Sequence, residues 1–201
     1  SQRFGDPADH EVAQQPALQR RAEDPAFEGA GLQQPGACEL GSLDLAGSPV
    51  PYLAFTQLRV DALNYALRDL PEEQIRFHLC WGSWHGPHTT DVPLADILGE
   101  VLQANVGGLS FEAGNVRHEH EWTVWRDVEV PAGLTLLPGV VSHATNVVEH
   151  PDLVAQRIGR FAEAVGSDRV IASSDCGFGG RVHPDIAWAK LESLVAGAQR
   201  A

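Results

Sequence analysis

Methionine is absent from the 201-residue sequence, and basic side chains are scarce. Lysine and arginine number 14 against 27 aspartates and glutamates, which gives a formal net charge of −13. Because such a charge repels phosphate backbones, we expect no nucleic-acid partner. No apolar run has the length of a membrane span, and the first residues lack the apolar core of a signal peptide. We therefore expect no membrane partner, a cytoplasmic location and, since no methionine begins the sequence, a trimmed or partial chain.

Cysteine is also rare, and the odd number of three argues against a disulfide framework. In a reducing compartment, a cysteine beside histidine or glutamate more often serves a metal or catalysis. Cys38 stands alone in a stretch rich in proline and glycine, and we interpret it as a small buried hydrophobe. Cys80 and Cys176 follow apolar segments and are candidates for chemistry.

The chain divides at about residue 51. Residues 1–51 are predicted to be a loop-rich lead-in, with a short helix at Val12 to Ala22 as its one candidate element. Residues 52–201 alternate amphipathic helices with short apolar strands. The predicted helices are 55–70, 91–102 (capped by Asp91), 152–165 and 184–198, and the predicted strands are 75–81, 107–113, 134–141 (interrupted at Pro138-Gly139) and 169–176.

This order of elements favours an α/β fold with a parallel sheet and right-handed crossovers. Four such strands are half of a (β/α)8 TIM-type barrel. A doubly wound open sheet is the alternative, but no GxGxxG motif follows any predicted strand.

Side chains that bind metals stand at the ends of all four predicted strands. His78 and Cys80 are two residues apart, and in an extended strand they point the same way. Glu112 ends the second strand, His143 lies just beyond the third, and Cys176 ends the fourth. Because the functional face of a barrel is the carboxyl-terminal rim of its strands, we expect these five side chains to converge.

Zinc is the predicted cofactor of this group. Two thiolates, an imidazole and a carboxylate form a donor set that zinc accepts and that magnesium or calcium does not. Ligands scattered over strand ends favour an exchangeable catalytic ion, whereas a closed structural zinc normally has clustered CxxC pairs. A purely structural zinc, or no metal, is the alternative.

Five segments resemble the cobalamin-independent methionine synthase family, and in particular its shorter, single-barrel bacterial relatives. They are residues 78–88 (HLCWGSWHGPH), 110–112 (SFE), 117–122 (RHEHEW), 139–143 (GVVSH) and 174–177 (SDCG). The resemblance implies that residues 52–201 form mainly the C-terminal half of a barrel of the synthase's catalytic type. It further implies a zinc ion held by His78, Cys80, Glu112 and Cys176. The implied reaction is methyl transfer from a methylated folate to a thiol such as homocysteine, in methionine biosynthesis.

Further site residues come from the same resemblance. His143 is similar to the family's histidine that protonates the departing methyl donor. The family has Tyr-Asp-Ile-His at this point, and the present sequence has Val-Ser-His, which is one residue shorter. A structural histidine that caps a loop is the alternative. The candidate substrate-binding residues near the mouth are Trp81, His85, Asn115 and Asp175.

The family's earlier strands have no counterpart in residues 1–51. Either a front half is missing from this sequence or a homo-oligomer completes the barrel, since open sheet edges are an aggregation liability. The expected partners are therefore a small-molecule thiol, a methyl donor and, as one option, a second copy. Two alternatives stay open: a thiol alkyltransferase with an epoxide or corrinoid methyl donor, and a catalytically incomplete fragment with structural zinc.

Overall fold

The computed structural model describes residues 49–81, 88 and 91–201. The predicted helix at Val12 to Ala22, Cys38 and the candidate substrate residue His85 lie outside these residues, and the division at residue 51 stays a prediction. The described helices are α1 (Pro49–Leu67), α2 (Leu94–Val101), α3 (Pro151–Val165) and α4 (Pro184–Ala198), and the strands are β1 (Arg76–Leu79), β2 (Gly108–Glu112), β3 (Thr135–Val141) and β4 (Ser173–Ser174). Three short 3-10 helices occupy Glu72–Gln74, Glu119–Arg126 and Ser167–Arg169.

The four strands form one parallel sheet in the order β1-β2-β3-β4. Helix α2 connects β1 to β2, the 3-10 helix Glu119–Arg126 lies between β2 and β3, and α3 connects β3 to β4. Parallel strands that are neighbours both in sequence and in space are the arrangement of a barrel, so the predicted α/β class and partial barrel are confirmed. None of the described helices is long and apolar enough to cross a bilayer.

Three strands differ from their predicted form. Strand β1 is half exposed rather than buried, because it is an edge of the described sheet. Strand β3 runs without interruption through Pro138, which lacks a backbone donor but faces no β4 partner, since β4 pairs with Gly139 and Val141. Strand β4 contains two residues, because its register shifts between those two partners.

The core forms where β2 meets the 3-10 helix and α3. Phe111 of β2 stacks on Trp125 at 4.6 Å between ring centroids and meets Phe161 edge-on at 5.5 Å. All three rings are almost fully buried. Their contact fixes both connecting segments against the sheet and leaves the carboxyl ends of the strands for polar residues.

Helix α2 begins at Leu94, three positions after the predicted start at residue 91, and Asp91 does not cap it. Its first residue, Leu94, donates its backbone N–H to the Oε1 atom of Glu121 at 2.6 Å. The carboxylate of a distant 3-10 helix thus replaces the expected local cap. The apolar spacing predicts an inner face at Leu94, Ile97, Leu98, Val101 and Leu102. The first four are buried and Leu102 is partly buried.

Helix α4 has the predicted bounds but buries a different face. The apolar spacing predicts an inner face at Ile186, Ala187, Leu191, Leu194 and Val195. Its buried residues are Lys190, Ser193 and Gly197, while Val195 is exposed. The Nζ atom of Lys190 lies 2.9 Å from Oε2 of Glu149, and Ser193 donates its hydroxyl to the Glu149 carbonyl. A buried ion pair, rather than an apolar stripe, therefore determines which side of α4 faces the sheet.

Removal of the buried cation should destabilise the protein strongly. In Lys190→Met the Glu149 carboxylate stays buried with the Ser142 N–H, 2.7 Å away, as its remaining donor. We expect the free energy of unfolding to fall by about 3–5 kcal/mol, measured by chemical denaturation. The double variant Lys190→Met/Glu149→Gln, which buries no charge, should recover most of the loss. Equal losses in both variants would contradict this account.

Gly139 is predicted to tolerate no side chain. A Cβ atom there would lie 2.5 Å from the backbone nitrogen of Asp175 and 2.6 Å from its Oδ1. Gly139→Ala must displace the chain after β4, and we expect a loss of about 1–3 kcal/mol in unfolding free energy. Gly99→Ala on α2 is the matched control, because a Cβ there meets nothing within 4 Å. It should gain about 0.5–1 kcal/mol; an unchanged denaturation midpoint for Gly139→Ala would refute the packing argument.

Candidate metal centre

Three of the four predicted metal ligands lie together in the structure. One donor atom each from His78, Cys80 and Cys176 falls within 4.8 Å of the others. His78 lies on β1, Cys80 follows β1, and Cys176 follows β4, so the donors come from the two edges of the described sheet. In a flat sheet β1 and β4 would be about 14 Å apart, at about 4.8 Å per strand. The sheet is therefore curved, as a barrel wall is, and its curvature assembles the group.

A hydrogen bond to the neighbouring strand orients His78. Its Nδ1 lies 3.0 Å from Oγ of Ser110, the residue paired with it in the β1–β2 register. This contact leaves Nε2 for a metal. Partial burial lowers the pKa of His78, against an opposing pull from the Glu112 carboxylate. The neutral imidazole that results is the form that binds metals.

Glu112 lies beside the three donors, at the end of β2. The Cys80 thiol is 3.4 Å from its Oε1, and the Asn115 amide donates to its Oε2 at 2.9 Å. The carboxylate is almost completely buried. Glu112 is thus held at the edge of the group by two side chains, and its role as fourth ligand stays a prediction.

Asp175 ties the chain after β4 to the end of β2. Its Oδ1 accepts the backbone N–H groups of Ala113 and Gly114, each at 2.8 Å. Burial, together with the nearby Glu112 charge, raises the pKa of Asp175 to about 7, against the lowering effect of its hydrogen bonds. The side chain is fully buried, and its hydrogen bonds join the ends of two strands. Its predicted contact with substrate stays untested.

Of the other predicted site residues, His143, Asn115 and Trp81 belong to the described part of the chain. His143 is buried two residues beyond β3, and Asn115 is buried against Glu112. Trp81 donates its indole N–H to the Val92 carbonyl at 2.9 Å and stacks on His118. These contacts give Trp81 a packing role, while substrate contacts of Trp81 and Asn115 stay predictions.

A cavity of about 510 Å³ opens beside the loops that follow β2 and β3. Asn115 and Ser142 line it, together with Val116, Val147 and Val148. Its volume suits a small molecule, and its walls are mostly apolar with a few polar groups.

Sequence reasoning missed a second group of side chains that could hold a metal, formed by His88, Asp91 and His118. The sequence pattern assigns Asp91 to helix capping, and that assignment is wrong. The signal in the sequence is the local density of histidine around this acid. Only the three-dimensional contacts identify which imidazoles Asp91 meets.

No protein-family model matches the sequence. An alignment of 174 positions, which covers 74% of this chain, shows 25% identity to 2-hydroxypropyl-CoM lyase from Xanthobacter autotrophicus strain Py2 and covers 46% of that protein. Among solved structures, a B12-independent methionine synthase from Shewanella sp. W3-18-1, in complex with selenomethionine, has a TM-score of 0.57 and 19% identity. That match covers 82% of this chain and 51% of the synthase.

The chain thus spans about half the length of each of these two proteins. The structural match confirms the expected kind of fold, and the number of parallel strands described is that of a half barrel. The described part of the chain shares the fold of the B12-independent methionine synthases, as a partial barrel that carries a candidate metal centre at the carboxyl ends of its strands.

Proposed function

We propose that this chain is part of a zinc enzyme that activates a thiol for S-alkylation. Its specific reaction, in this proposal, is methyl transfer from a methylated folate to a thiol such as homocysteine, which yields methionine. The observation that carries the proposal is the convergence of His78, Cys80 and Cys176 from the two edges of the described sheet. Two cysteine sulfurs and one imidazole that meet from opposite edges of the sheet form a donor set suited to one metal ion.

The chemistry of the donors fits zinc. Thiolate and imidazole suit this borderline-soft ion, whereas magnesium and calcium require oxygen ligands. His78, Cys80 and Cys176 would hold it, with Glu112 as the proposed fourth ligand. Zinc, when bound, supplies a Lewis-acidic centre that lowers the pKa of a thiol and maintains its sulfur as a nucleophilic thiolate.

Glu112 is the proposed ligand that a substrate thiol displaces. A carboxylate is a harder donor than a thiolate and is the weaker partner of a soft, sulfur-rich centre. Asn115 donates to Glu112 Oε2 at 2.9 Å, and this hydrogen bond would hold the carboxylate in place when a substrate thiol takes its position.

His143 is the proposed acid of the reaction. The C–S bond forms as the C–N bond of the methylated folate breaks, and the proton given up by the thiol is balanced by one that the departing amine gains. A tertiary amine leaves poorly unless it is protonated, so an acid is required near the donor. His143 is buried just beyond the carboxyl end of β3, as Cys176 lies just beyond the carboxyl end of β4. Imidazole titrates in the range that an acid of this reaction requires.

A second candidate function is thiol alkylation by an epoxide. The match to 2-hydroxypropyl-CoM lyase, which by its name acts on a hydroxyalkyl thioether, favours it. In that reaction a C–S bond forms, a C–O bond of the ring breaks, and the alkoxide takes up the proton. The apolar walls of the cavity at Val116, Val147 and Val148 suit a short alkyl chain, and charged side chains such as Arg117 also line it.

Loss of Cys176 should remove zinc and activity together. Changes to residues that merely support a ligand cost about 10–100-fold in metal affinity. For Cys176→Ser, which replaces a ligand, we expect a loss above about 100-fold, measured by competition with a chromogenic chelator. Cys38→Ser is the control, because Cys38 is assigned no ligand role, and it should bind zinc as the wild type does. Unchanged zinc affinity of Cys176→Ser would exclude the proposed ligand set.

Zinc-edge X-ray absorption of the full-length protein should detect an added sulfur ligand when homocysteine is supplied. A methylated folate and a small epoxide, each offered with the same thiol, should then be distinguished by mass spectrometry of the thioether produced. A coordination shell that stays unchanged across a panel of thiols would instead support a structural zinc in an incomplete fragment.

A further inference from the structure

A second donor cluster lies outside the candidate metal centre and consists of His88, Asp91 and His118. One donor atom from each residue falls within 4.8 Å of the others. Asp91 Oδ2 lies 2.5 Å from Nδ1 of His88 and 3.2 Å from Nε2 of His118. A single carboxylate oxygen thus faces a nitrogen of each imidazole.

The cluster is buried and its rings are fixed in place. The side chains of His88, Asp91 and His118 are 7%, 16% and 6% exposed. Trp81 stacks on His118 at 4.7 Å between ring centroids, and the His88 ring meets His118 edge-on at 6.4 Å. Such packing orients both imidazoles before any ion binds, which reduces the entropic cost of binding.

Glu121 fixes the tautomer of His118. Its Oε2 lies 2.9 Å from Nδ1 of His118, while its Oε1 is held by the backbone N–H of Leu94. A carboxylate in this position accepts the Nδ1–H proton, so Nε2 is the nitrogen that faces Asp91. A second carboxylate that supports a histidine in this way is the usual outer contact of a metal-binding imidazole.

Nε2 of His118 and Oδ2 of Asp91 face each other, and a positive charge between them, carried by a proton or by a metal ion, stabilises the pair. Nε2 of His118 is buried and makes no hydrogen bond, although Asp91 is 3.2 Å away. The carboxylates of Asp91 and Glu121 lie on either side of the His118 ring, and this negative charge favours a cation beside Nε2.

A cavity of about 390 Å³ gives an ion access to the cluster. All three donors line it, with Glu121 behind them and with His120 and Arg117 at its wall. The cationic Arg117 opposes a metal, whereas Asp91 and Glu121 attract one. Two carboxylates against one guanidinium leave the balance of charge in favour of a cation.

We propose that His88, Asp91 and His118 bind a divalent transition-metal ion, separate from the thiolate centre. Two imidazoles and one carboxylate are the ligand set of zinc and of non-haem iron(II) sites with open positions. The cavity offers those positions to water or to an oxygen-bearing small molecule. Trp81 follows Cys80 directly and stacks on His118, so the two sites are adjacent in the fold. The proposal does not depend on the reaction proposed for the first site.

Cobalt(II) is the probe that distinguishes the two sites, because only the thiolate site yields sulfur-to-cobalt charge-transfer absorption. The full-length double variant Cys80→Ser/Cys176→Ser should lose that band but still bind cobalt, with ligand-field absorption alone. Asp91→Asn added to this background should weaken the remaining binding more than about 100-fold. In the otherwise wild-type protein, Asp91→Asn should keep the charge-transfer band and lower the metal content by one ion per chain.

The matched control is Asp96→Asn, since Asp96 is exposed in the first turn of α2 and is assigned no ligand role. It should leave both metal ions bound. Glu121→Gln should weaken cobalt binding by about 10–100-fold without abolishing it. Circular dichroism of each variant excludes unfolding as the cause. A double cysteine variant that is folded and binds no cobalt, or Asp91→Asn with unchanged metal content, overturns the proposal and leaves a protonated His118–Asp91 pair as the account of the cluster.

Discussion

Curvature of the parallel sheet is the constraint on which the candidate metal centre depends. His78 and Cys80 belong to one edge of the described sheet and Cys176 to the other, and these side chains meet only because the strands wrap around a common interior. Packing on the outer face maintains that curve: the aromatic cluster around Phe111 holds the connecting segments against β2. Substitutions in the aromatic core are therefore expected to displace the metal-binding side chains at the strand ends.

Buried carboxylates join the strand ends at this rim. Asp175 binds two backbone amides after β2, Glu112 contacts Cys80 and Asn115, and Glu149 holds the Ser142 amide just before His143. Each acid is buried, so each needs its donors. The donors to Asp175 and the thiol beside Glu112 come from other strand ends, whereas Asn115 and Ser142 are close in sequence to the acids that they contact. These polar contacts hold the carboxyl ends of the strands in place, where a metal and a substrate would bind.

The spacing of residues along the sequence predicted those features that depend on neighbouring residues alone. The alternation of side chains along β1 placed His78 and Cys80 on one face, and apolar spacing predicted the buried face of α2. Long-range contacts could not be predicted in this way. Glu121 replaces Asp91 at the start of α2 from 27 residues away, and pairing with Glu149 turns Lys190 inward against the apolar pattern of α4. Both errors arise where a buried charge chooses its partner in three dimensions.

The burial of Lys190 has a practical consequence. It is the single lysine in the sequence, and its side chain is completely inaccessible to solvent. Amine-directed reagents such as succinimidyl esters therefore find no reactive side chain on the folded surface. Acylation of Lys190 requires α4 to separate from the loop that carries Glu149, so the rate of acylation measures how often this local opening occurs.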